Sequence, residues 1–163
     1  MPRTRIKKPR PVPDPHHIYI HAVRFLFADN HIRQTSVGNK NVTDWNMLPA
    51  IVLSAFAAEL FLKCLLILDG QTPPDAHHLK TLFKRLHNKK KARIEELWNK
   101  SVAARSDEFE NTERKLSIKI PRDLQSALAD CGNAFEGMRY VYEDPTKVNS
   151  TLSILLRLLD RSS

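Results

Sequence analysis

The sequence predicts an all-α bundle of five to six helices. Three observations carry that prediction: one nearly uninterrupted apolar stretch, apolar residues recurring at spacings of three and four elsewhere, and short polar or Pro/Gly-containing breaks between these stretches. The apolar stretch runs from Asn46 to Gly70. Between Ala50 and Leu68 only Ser54, Glu59 and Lys63 are polar, so a helix there is apolar on nearly every side and must be enclosed by other elements. Ala, Leu and Phe favour helix over strand, Asp69-Gly70 supplies a stop, and Pro49 fits the first turn of a central buried helix expected over about 46–69.

The same stretch is long enough, at about 1.5 Å per residue, to approach the roughly 30 Å hydrocarbon core of a bilayer. Glu59 and Lys63 near its middle argue against insertion, which costs roughly 2.5 to 3.5 kcal/mol per ionised residue at that depth. They also stand four apart with Glu first, the better order for a helical ion pair. The expectation is a helix enclosed by protein, with no membrane partner.

The remaining elements follow in chain order. Residues 1–13 read as a flexible basic arm that carries Arg3, Arg5, Lys7, Lys8 and Arg10 together with Pro2, Pro9, Pro11 and Pro13, and has no acid before Asp14. These five account for most of the net charge of +8, leaving +3 for a single domain over 14–163. Pro15 to about Gln34 has helical periodicity, with Asp14 as its cap and Pro15 at the first helical position. Thr35 to Asp44, polar and containing Gly38, is expected to be a loop. After Pro73-Pro74, His78 to Leu86 forms a short amphipathic helix through Leu79, Leu82, Phe83 and Leu86. The basic run His87 to Arg93, read as a solvated face, leads into a fourth helix marked by Ile94, Leu97, Trp98 and Val102. Arg105 to Ile120 has no sustained period and is expected as a long loop, with Leu116, Ile118 and Ile120 alternating as a short strand would. A fifth helix opens at Pro121 or Arg122 and carries Leu124, Leu128, Cys131, Phe135, Met138 and Tyr142, until Asp144-Pro145 stops it. A last helix is expected over about Val148 to Leu159. Its apolar residues exceed what one face can bury, which predicts a homodimer through the first or last helix.

No apolar run follows the basic N-terminus, so no secretory signal is read and a cytoplasmic protein is expected. Cys64 and Cys131 are far apart on apolar helical positions and fit reduced core thiols. His17 and His21, four apart with His16 adjacent, have helical metal-ligand spacing, but nothing nearby repeats the pattern to complete a site, so capping or surface roles are preferred and no metal or cofactor is expected. His77-His78 is read as structural at a turn. There is no Gly-rich phosphate loop, nucleophile elbow or Cys-pair zinc site.

Two segments resemble known proteins. The phrase AFAAELFLKCLLILDG (55–70), then Pro-Pro, then HHLKTLFKRL (77–86), resembles the opening helical hairpin of the HEPN superfamily, and FEGMRYVYE (135–143) resembles its arginine-tyrosine helix. The resemblance implies a helical bundle and three functional classes: RNA-cleaving toxins and nucleases, nucleotide-binding partners of nucleotidyltransferases, and members without demonstrated chemistry. Nuclease members carry an arginine, four to six residues and a histidine, usually acting across a dimer interface. Arg139 matches the arginine, but the permitted positions hold Asp144, Pro145 and Thr146.

The leading expectation is therefore an interaction module, RNA-associated or part of a toxin-antitoxin or defence system, with RNA or a protein encoded nearby as its partner. The alternative is a metal-independent ribonuclease using Arg139 with Glu143, or Arg24 with His31, which share a helix face seven residues apart. A nucleotide-binding partner of a nucleotidyltransferase is third. Arg3, Arg5, Lys7, Lys8 and Arg10 are the expected nucleic-acid contacts. Glu59, Lys63, Arg139 and Tyr142 are expected to form a polar cluster, with Glu59 accepting from Arg139, read first as a device that fixes helix register.

Overall fold

In the computed structural model the described residues are 13–36, 40–117 and 119–139. Among them there are six helices and no strand: α1 (Pro15–Ser36), α2 (Lys40–Leu68), α3 (Leu79–Arg85), α4 (Asn88–Ala104), α5 (Ser106–Leu116) and α6 (Leu124–Arg139). The all-α bundle is the fold class expected from the periodicity. The arm through residue 12 and the expected helix over 148–159 lie outside the described residues.

The start of α1 follows the predicted chemistry. Asp14 Oδ1 accepts from the His16 backbone N–H at 2.9 Å, and Pro15 occupies the first helical position, where its missing N–H costs nothing. The expected loop over 35–44 is a correction: α1 continues to Ser36 and α2 begins at Lys40. Polarity made this segment look like a loop, but polar residues are also compatible with the solvated turns of a long helix. Pro49 consequently lies inside α2, not in its first turn. At the other end the stop forms as read. Gly70 has φ 72°, the Gln71 N–H reaches Leu66 O at 3.0 Å and the Gly70 N–H reaches Ile67 O at 2.8 Å, the paired bonds of a Schellman cap.

α1 and α2 run antiparallel, as their contacts show. The Cys64 thiol donates to Pro15 O, Tyr19 meets Phe61, Phe25 stacks edge-on against Phe56 at 4.7 Å between centroids, and Asp29 meets Ser54. The main core sits around the C-terminal half of α2. Leu62 and Leu66 meet Leu79, Leu82, Phe83, Leu86 and Leu124, flanked by Ile94, Trp98, Leu128 and Cys131. Thus α3 and α6 close over α2, and α4 covers the cluster with one edge only, having no fully buried residue.

The expected long loop over 105–120, with a strand-like end, is also corrected: residues 106–116 form α5. Asp107 and Glu108 in its first turn favour the helix N-terminus, and Phe109 is its buried anchor. One buried aromatic is too little signal for a period to be read. The segment is fixed instead by Glu113, which accepts from the Ile120 N–H at 2.8 Å and from Arg122 Nη2 at 3.0 Å. The Arg122 guanidinium also lies over the Phe109 ring, 5.5 Å from its centroid, and the Trp98 indole N–H donates to Arg122 O at 2.8 Å. α6 then opens at Leu124, later than the expected Pro121 or Arg122, capped by Asp123 Oδ1 accepting from the Ser126 N–H at 2.8 Å.

Candidate functional site

Ser54, Glu59 and Lys63 of α2 each find a partner. Glu59 is 4% exposed. Lys63, one turn later, donates from Nζ to Glu59 Oε1 at 2.7 Å, and His77, from the turn before α3, meets the same oxygen with Nδ1 at 3.0 Å. The contact fixes the orientation of the imidazole and leaves Nε2 as the ring nitrogen not engaged by Glu59. The Lys63 side chain is mostly buried, whereas His77 is 61% exposed. A buried carboxylate orienting a solvent-facing imidazole is an arrangement compatible with base chemistry, and equally a clasp that ties the α2–α3 turn to the central helix.

Ser54 belongs to a second cluster, between α1 and α2. Its hydroxyl donates to Asp29 Oδ2 at 2.6 Å, and Arg33 Nε donates to Asp29 Oδ1 at 2.8 Å. Arg33 Nη2 reaches Ser54 Oγ at 3.4 Å, while Arg33 Nη1 is buried with no hydrogen-bond partner among the described residues. Sequence reasoning missed Asp29 and Arg33, although their spacing of four on a helix is the signal of a pair. Asp69, at the end of α2, accepts from Lys90 at 2.8 Å, and that bond holds its carboxyl below the usual carboxylate range.

The remaining candidates fall as follows. Arg139 is the last residue of α6, and its side chain, like Tyr142 and Glu143, lies outside the described residues. Arg24 and His31 are both exposed on α1, separated by a rise of about 10 Å. His16 and His17 are exposed at the start of α1, with His17 Nδ1 3.7 Å from Asp14, and no group of three potential metal ligands occurs among the described residues. The basic residues of the arm lie outside the described residues. Both cysteines are free thiols whose pKa burial pushes up, which disfavours the thiolate. The segment Pro49–Leu68 is long and apolar enough to cross a membrane by length and composition, a test that core helices of soluble proteins also pass.

Scans against family models, curated proteins and solved structures returned no match for this chain.

Proposed function

We propose that the chain is a HEPN-like helical interaction module, cytoplasmic and homodimeric, that associates with RNA and acts without the family's arginine-histidine nuclease pair. The observation that carries the interaction reading is an outward stripe on α1. Val23, Leu26 and Phe27 are 38–74% exposed on α1, beside Tyr19, which is 49% exposed while its ring meets Phe61 of α2 edge-on. An apolar stripe of this kind on an otherwise packed helix is a docking face. RNA association draws on the charge of the chain and on the resemblance at 55–86 and 135–143.

The test is a pair of assays on purified protein. Single-stranded RNA should bind in a strongly salt-dependent manner, with much of the affinity residing in Arg3, Arg5, Lys7, Lys8 and Arg10, and should remain uncleaved. The ribonuclease reading retains one favourable observation, the orientation of His77 by buried Glu59. Cleavage abolished by His77→Ala or Arg139→Ala would replace the interaction reading with that one.

A further inference from the structure

Beyond the arm, the folded domain has its own concentration of positive charge. From Ala76 to Ile94 there are Lys80, Lys84, Arg85, Lys89, Lys90, Lys91 and Arg93 and no acidic residue. Three of these are engaged within the fold: Arg85 donates to Thr72 O, Lys90 to Asp69 and Leu65 O, and Arg93 to Glu96. Lys80, Lys84, Lys89 and Lys91 have no ion pair among the described residues. Three of the four are exposed and Lys91 is partly so. Lys80 and Lys84 are one turn apart on α3, and buried Leu86 joins that helix directly to the first turn of α4, which carries Lys89 and Lys91. Such a local excess of unneutralised charge repels itself and attracts a polyanion.

We propose that α3 and the start of α4 form a second contact surface for single-stranded RNA, with Lys80, Lys84, Lys89 and Lys91 meeting backbone phosphates. This deepens the RNA reading above and rests on it. Exposed imidazoles are interspersed with the lysines: His77 and His78 precede α3 and His87 precedes α4. Imidazole rings stack on splayed bases, so the surface offers contacts to both parts of a single-stranded nucleotide. Between Ala76 and Ile94 no large apolar side chain is exposed. Insertion into a membrane interface and a packed protein interface both draw on such side chains, whereas contacts to backbone phosphates do not. The geometry therefore favours a solvated, sequence-tolerant contact to RNA.

The experiment titrates the full chain against a labelled single-stranded oligouridylate across a series of salt concentrations. Three variants are compared with the parent: Lys80, Lys84, Lys89 and Lys91 all to Gln, the same four to Arg, and the five basic arm residues all to Gln. Four lost phosphate contacts should lower the salt slope by about 3 and the affinity by more than about tenfold. The arginine variant should bind as the parent does, and all three should retain the parent's helical circular dichroism. Unchanged affinity in the four-glutamine variant, with loss confined to the arm variant, overturns the second surface and leaves the RNA reading standing. Failure of the parent to bind at low salt overturns both. Tighter binding to phosphatidylserine vesicles than to RNA, abolished by the four glutamines, overturns the RNA assignment in favour of a membrane surface.

Discussion

Glu59 is the residue whose surroundings decide most. Its carboxylate is buried and shared by Lys63 and His77, so Glu59→Ala strands one mostly buried ammonium while leaving an exposed imidazole in water. Removing one partner of a fully buried pair costs roughly 3 to 5 kcal/mol. Lys63 can reach solvent, so the expected loss is about 2 to 3 kcal/mol, measured by denaturant unfolding. His77→Ala should cost less than about 1 kcal/mol, since that ring is largely hydrated. A loss from His77→Ala equal to that from Glu59→Ala would mean that the clasp, and not the buried charge, dominates. The proposed contact from Arg139 has its own measurement: a double-mutant cycle of Glu59 and Arg139 should show coupling of at least about 0.5 kcal/mol, and coupling near zero would separate the two residues. Ser117 offers a change in the other direction. It caps α5 with φ 50°, a left-handed conformation that glycine adopts without strain, so Ser117→Gly should raise stability by about 0.5 to 1 kcal/mol in thermal or chemical unfolding.

At the scale of elements, carboxylates bond α5 to the entry of α6, and this makes the region sensitive to acid. The Glu113 carboxyl is held below its ordinary range chiefly by the Ile120 backbone N–H, with Arg122 adding to it, and Asp123 is lowered by the Ser126 backbone N–H. Groups with depressed native pKa values bind protons more readily in the unfolded chain. Their stabilising contribution is present above the unfolded carboxylate range, about pH 4, and is lost as pH falls through the lower native values. Thermal melts should therefore fall below about pH 4.5, and Glu113→Gln should flatten that fall while lowering stability at neutral pH. Asp130 works in the opposite sense. Burial, with Asp123 nearby, raises its pKa, so ionisation costs stability at neutral pH and protonation relieves it. Asp130→Asn should stabilise at pH about 7 and give no gain at pH about 3.

For the whole molecule, the question is what covers the outward stripe of α1. A two-fold dimer is proposed, and an isologous contact would pair the stripe of one copy with that of the other. Phe27 is 74% exposed, so Phe27→Asp removes no core contact and should leave the melting temperature of the monomer within about 2 °C. In sedimentation at about tens of micromolar the parent should be dimeric and the variant shifted towards monomer, whereas a monomeric parent would remove the dimer from the reading.

The sequence by itself determined the fold class, the central helix, the cap of α1 by Asp14 and the stop at Gly70, because these depend on periodicity and on chemistry within a few residues. The polar residues of α2 were also legible as exceptions that required partners. Their partners were not, except for Lys63, which is four residues away on the same helix. His77 reaches Glu59 across eighteen residues and Asp29 reaches Ser54 across twenty-five, distances that no local pattern encodes. The same limit explains the two segments expected as loops. Lys40 to Asp44 and Ser106 to Leu116 have too few apolar residues for a visible period. For α5 the choice of helix was made by Phe109 in the interior and by Glu113 meeting Ile120 and Arg122, contacts that exist only once the chain has turned back on itself.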